Sequence, residues 1–174
     1  LAEYGSWDAV AQVAVEELTN RLHRQTFPAM SAQRLIQCLR TIIDRNGSVD
    51  LSVLADMTTD AAIVWLESLP GIARKISAQA LNTSTLNRPV MVIEGHHRRI
   101  MQRMGIVAER ADTLRTYETL MPILPEEWSA EDMDEHHLLL KKLGQTLCPP
   151  RAVHCGDCPV RADCRTGLSS TGEN

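Results

Sequence analysis

Leu69-Pro70-Gly71-Ile72-Ala73-Arg74-Lys75 is the stretch that decides the fold. Pro70 cannot continue a helix that precedes it and presets φ, while Gly71 takes φ > 0 without the penalty of a Cβ, so the chain must reverse within a few residues. On its N-terminal side Ala62, Trp65, Leu66 and Leu69 recur at helical spacing behind Thr58 or Thr59 as N-cap. On its C-terminal side a second helix is expected from Arg74 to about Leu81. Two helices joined by so tight a turn form a hairpin. The first-turn N–H groups of the second helix lack intrahelical partners and stand at the positive end of the macrodipole, which makes the turn a seat for a phosphate.

Toward the N-terminus, Trp7, Val10, Ala14, Leu18 and Leu22 predict a helix over 6–24 behind Ser6 as N-cap, ended by Phe27-Pro28. Leu35, Ile36, Leu39, Ile42 and Ile43 predict a second over about 31–45, stopped by Asn46-Gly47, with Cys38 a small hydrophobe on its buried side. Asp50 is suited to cap a short helical turn over 51–55. Toward the C-terminus, 82–89 has loop composition, and Val90-Met91-Val92-Ile93 has no second strand to pair with. It reads as a buried extended segment that delivers Glu94 to a fixed place. A helix carrying His96, His97, Arg98, Arg99 and Arg103 follows, then one over about 112–121. Ser129-Ala130-Glu131-Asp132 has the form of a capping box and opens a helix that leads to Cys148. Residues 169–174 read as a frayed tail.

Composition bounds the rest. A chain of 174 residues with 44% apolar content can bury a core as one compact α-rich body or two small lobes. Its net charge of −4 excludes a nucleic-acid binder held mainly by bulk charge, so any such contact must come from local patches. No apolar run approaches membrane-spanning length and no charged-then-apolar leader is seen, so a cytosolic protein with no membrane partner is expected. The chain begins at Leu1 rather than Met, as a piece of a longer protein would.

A second constellation is Cys148-x6-Cys155-x2-Cys158-x5-Cys164, on a segment broken by Pro149, Pro150, Gly156 and Pro159. Four thiols so close in a chain without a secretory leader point to a metal site rather than disulfides. The spacing alone allows tetrahedral zinc or an iron–sulfur cluster.

The hairpin and the 6-2-5 cysteine spacing, in this order and separation, resemble the endonuclease III superfamily of helix-hairpin-helix DNA glycosylases over roughly residues 29–165. The resemblance implies an all-α, two-lobed fold: a helical core over 1–128 with the hairpin at about 60–82, and a C-terminal helix and [4Fe-4S] loop over 129–168. In the family, Leu-Pro-Gly-x-Gly-x-Lys ends in the catalytic lysine, which falls on Lys75, and Val-Asp-Thr-His carries an essential aspartate, which falls on Glu94 in Ile93-Glu94-Gly95-His96. It implies DNA contacts through Leu69, Pro70, Gly71, Ile72, Ala73, Arg74, His96, Arg98 and Arg151, with His154 beside Arg151. Cys148, Cys155, Cys158 and Cys164 would hold the cluster, which braces a DNA-facing loop. The partner implied is double-stranded DNA with a damaged, modified or abasic nucleotide. The protein implied is a monomeric base-excision glycosylase and AP lyase of the bacterial cytoplasm or nucleoid.

The sequence departs from the pattern in three places. Glu94 adds a methylene where the family has aspartate, and a misplacement of about 1 Å can cost on the order of 100-fold in rate. Ala73 stands where the family has a second glycine, and the family's Ser-x-Gln-x-Thr-type stretch is absent from these residues. Two alternatives follow: a binding protein of the same fold that does not cut, and a redox-responsive iron–sulfur protein. Residue by residue, Lys75 is otherwise a solvated charge, Glu94 a cap or a partner of Arg98, and His96 and His97 packing or phosphate-touching groups. Arg98, Arg99 and Arg103 otherwise form a solvated face or contact the strand.

Overall fold

The computed structural model describes residues 2–170, which are helices and turns with no strand among them. They form two compact units, one ending at Ala73 and one starting at Arg74.

In the first unit, α1 (Trp7–Gln12) and α2 (Val15–Arg21) lie on α3 (Pro28–Asn46) and bury Val10, Ala11 and Leu18 against Ala32, Ile36 and Leu39. Each large side chain removed from water here contributes about 1.5–3 kcal/mol. The single helix expected over 6–24 is broken at Val13 and Ala14, whose ψ angles of 147° and 142° are extended. The reason is packing. Val13 and Val15 both sit against this core, and in one continuous helix they would point about 200° apart. The helix expected over 31–45 starts earlier because Pro28 occupies its first turn, where a missing N–H costs nothing. Cys38 is half-buried, and burial pushes its thiol pKa up, as for a packing residue rather than a reactive one.

Asp50 caps the turn that follows, Oδ1 accepting from Ser52 N at 2.8 Å and Oδ2 from Ser52 Oγ at 2.9 Å. These bonds hold its carboxyl below the usual carboxylate range. A 3-10 turn (Ser52–Asp56) leads to α4 (Thr59–Glu67), capped by Thr58 Oγ1 accepting from Ala61 N at 3.3 Å. Arg45 Nη1 donates to Ser68 Oγ at 2.7 Å and pins the end of α4 to α3.

The second unit starts with α5 (Arg74–Thr83). Val90–Ile93 then runs extended and buried, no residue more than 2% exposed, into α6 (Gly95–Met104), α7 (Thr113–Leu120) and α8 (Ala130–Thr146). Buried Asn82 donates Nδ2 to the Ala130 carbonyl at 2.8 Å and so ties α5 to the start of α8. The capping box forms as read: Ser129 Oγ accepts from Asp132 N at 3.2 Å, and Asp132 Oδ2 accepts from Ser129 N at 2.8 Å. Helices α6 and α8 pack closely because position 144 is glycine; a Cβ there would stand 2.7 Å from His96 Cβ.

Past the cysteines the structure corrects the sequence reading. Arg165–Ser169 form a last helix, α9, and Ser170 Oγ donates to the Thr166 carbonyl at 2.6 Å, so 169–170 are not a frayed tail. Leu1 and 171–174 lie outside the described residues. Among the described residues no helix is long and apolar enough to cross a membrane.

Candidate functional site

The turn at Pro70-Gly71 forms as its residues dictate. Leu69 is buried and its carbonyl accepts from Ile72 N at 3.2 Å, closing a turn over Pro70 and Gly71. Gly71 has φ +79°, and a Cβ there would lie 3.2 Å from Arg34 Cδ, so the turn requires glycine both for its backbone and for its neighbour. Ala73 is exposed, and Lys75 is exposed in the first turn of α5. The Arg74 guanidinium lies 4.7 Å from the centre of the Tyr117 ring, a cation–π contact.

Glu94 sits where the buried extended run enters α6. Its Oε1 accepts from His96 N at 3.0 Å and from His97 N at 3.4 Å, so the carboxylate is the N-cap of α6. Two orphan N–H groups and the positive end of a helix thereby fix one oxygen in place. It makes no ion pair with Arg98 among the described residues. Arg98 is half-buried, with an Nε that meets no partner. No hydrogen bond or ion pair joins Lys75 to Glu94 among the described residues.

Arg99 and Arg103 are not a solvated face. Arg99 Nη2 donates to the carbonyls of Gly144 at 2.8 Å and Cys148 at 2.9 Å and lies 3.0 Å from His96 Nδ1. Arg103 Nη1 donates to the Pro149 carbonyl at 2.8 Å and to Cys148 Sγ at 3.0 Å, and Nη2 to the Pro150 carbonyl at 3.0 Å. The Arg103 carbonyl accepts from Thr166 Oγ1 at 2.8 Å. One residue of α6 thus binds the segments before and after the cysteine loop. Spacing of i and i+4 places both arginines on one face, which was visible in the sequence; their partners, 45 to 49 residues downstream, were not.

All four cysteines line one pocket, open in part to solvent and walled by Ile100, Leu143 and Leu147. Ser170 Oγ lies 3.6 Å from Cys155 Sγ. Among the described residues no three cysteine, histidine or carboxylate side chains are placed to share one metal ion. Tetrahedral zinc needs four sulfurs converging on one point at about 2.3 Å. In a [4Fe-4S] cluster each thiolate takes its own iron, so the sulfurs surround a volume instead. A pocket lined by four cysteines and by apolar side chains, with an arginine donating to one sulfur, has a donor set that suits the larger group. Arg151 and His154 are exposed on the same loop.

No protein-family model matches the chain. DNA glycosylase/AP lyase ROS1 of Arabidopsis thaliana is 24% identical over 172 residues, covering 91% of this chain and 12% of that protein. Endonuclease III of Bacillus subtilis is 31% identical over 103 residues, 59% of this chain and 44% of that one. A structure of a trapped endonuclease III–DNA covalent intermediate superposes with a TM-score of 0.75 at 24% identity, covering 97% of this chain and 72% of that one. The chain has the fold of endonuclease III. It spans roughly a tenth of the length of its plant relatives.

Proposed function

We propose that this chain is the base-removing part of a DNA glycosylase with AP-lyase activity, with 1–128 carrying the reacting groups and 129–168 the cluster loop. The observation that carries the reading is Lys75, exposed in the first turn of α5 directly after a hairpin turned by Gly71 at φ +79°. A backbone reversal of this kind can hold a phosphate while the target nucleotide, unreachable inside the duplex, is flipped out. As the N-glycosidic bond breaks, positive charge develops at C1′, and the anchored Glu94 carboxylate stabilises it. The neutral amine of Lys75 attacks C1′ and the base departs with the bonding electron pair. Loss of the ammonium proton and opening of the C1′–O4′ bond, with a proton taken up at O4′, turn this adduct into a Schiff base, which acidifies the C2′ proton; removal of that proton expels the 3′ phosphate, and water then frees the lysine.

Cys148, Cys155, Cys158 and Cys164 would hold a [4Fe-4S] cluster, which supplies a brace for the loop bearing Arg151 and His154 and, by its nature, one-electron chemistry. The partner is double-stranded DNA with a damaged, modified or abasic nucleotide, met by the hairpin residues Leu69–Arg74, by His96 and Arg98, and by Arg151.

Borohydride trapping on duplexes with an abasic site or an oxidised pyrimidine tests the reading. A covalent adduct is expected with the wild type and none with Lys75→Ala, which still binds the duplex. Absence of an adduct in the wild type, with binding intact, overturns the lyase. Ala73 and the longer Glu94 favour a second reading in that case, a protein of the same fold that binds lesions without cutting them.

A further inference from the structure

Val90–Ile93 lies buried without a strand beside it, so its polar backbone atoms must be satisfied by something other than a ladder. At Val92 the partner is an imidazole: His97 Nδ1 lies 3.3 Å from the Val92 carbonyl. A carbonyl only accepts, so the His97 proton is on Nδ1 and Nε2 carries a bare lone pair. That Nε2 is buried and meets no partner, and the residue is 0% exposed, with the His136 ring 5.3 Å away. Burial first, and the His136 ring second, push the His97 pKa down to about 3, so the ring is neutral at physiological pH.

A bare nitrogen in an apolar interior is a cost that leucine at the same place would not carry. What the imidazole does in return is specific. Its ring grips the chain two residues before Glu94, and its backbone N–H donates to Glu94 Oε1 at 3.4 Å. One residue therefore holds the chain on both sides of the carboxylate. We propose that His97 is a positioning residue that fixes the Glu94 carboxylate for base removal, through the Val92 carbonyl on one side and the start of α6 on the other. This rests on the reading of Glu94 as the charge-stabilising group.

The test compares wild type, His97→Leu, His97→Asn and Glu94→Gln in single-turnover base release, lesion-duplex binding and thermal melting. In His97→Leu the release rate is expected to fall about 10- to 100-fold, with Kd unchanged and Tm little changed, since leucine removes the cost of the bare Nε2 together with the bond to Val92. Asn offers an amide N–H near the place of Nδ1 and should recover most of the rate. A packing role would move Tm and rate together. Full rate in His97→Leu, or a rate loss that tracks a loss of Tm, overturns the proposal. Glu94→Gln separates it from the reading beneath: if that variant loses release while His97→Leu keeps it, the positioning role alone falls. If Glu94→Gln keeps release, or the wild type has none, both fall.

Discussion

The unit that ends at Ala73 and the unit that starts at Arg74 are held by different chemistry. In the first, the buried side chains among the described residues are apolar, one cluster of them gathered where α1 and α2 lie on α3. In the second, Ser77, Asn82, His97, Thr116 and His137 are buried as well, each a group that must find a partner or be penalised. Volume stabilises the one, and direction is imposed on the other. An apolar interior tolerates swaps that conserve volume, whereas a buried polar network specifies a single arrangement. The residues that carry Glu94 and surround the cysteines lie in the second kind of interior.

The contrast can be broken most forcefully in the first unit. Ile36→Ala removes a side chain 2% exposed, and a loss of about 2–5 kcal/mol is expected in urea unfolding, while Ile36→Leu should cost less than ~1.5 kcal/mol. An equal loss for both would mean that shape rather than volume rules there. In the second unit, Arg103→Ala deletes the charged donor shared by the Cys148, Pro149 and Pro150 positions. A hydrogen bond from a charged group is worth about 1.5–3 kcal/mol, and because these bonds share one partly exposed side chain whose acceptors water can reach, a total cost of about 2 kcal/mol is expected by urea unfolding. Faster bleaching of visible absorbance in air should accompany it, and Arg103→Lys should not rescue a fork of donors.

The smallest effect is a slope with pH. Burial lowers the pKa values of His97, His136 and His137 from the ordinary histidine value. The unfolded chain therefore binds more protons than the folded one between about 6.5 and 3. Stability is fully present above that window and is lost as pH falls through it, His97 alone giving up to about 1.4 kcal/mol per pH unit. Urea midpoints at pH 7, 6 and 5 should decline in step; a flat profile would show that these rings are wetter than their burial implies.

Local chemistry was readable in the sequence wherever cause and effect are close along the chain. Ser6, Thr58 and Ser129 cap the helices they precede, Pro70-Gly71 turns the hairpin, and the unpaired run before Glu94 is extended and buried. Glu94 itself was read as either a cap or a site, and the structure makes it a cap, which is also what orients a carboxylate. What escaped was decided by partners far away. Val13 and Val15 break a periodic helix because both are wanted by α3. Arg99 and Arg103 looked like a solvated face because charged side chains ordinarily are one, until the carbonyls around Cys148 are folded against them. His97 gave no signal beyond its place beside His96, since a donor to a carbonyl and a packed ring look alike in a string of letters.

Gly144 shows how little material separates these two halves of the chemistry. The helix that begins at the carboxylate and the helix that leads to Cys148 approach to a distance set by one hydrogen atom, where a methyl would stand 2.7 Å from His96 Cβ. A scan of substitutions at this position should therefore read like a ruler: intolerance graded by side-chain size, at a residue that carries no charge, no donor and no reactive atom of its own.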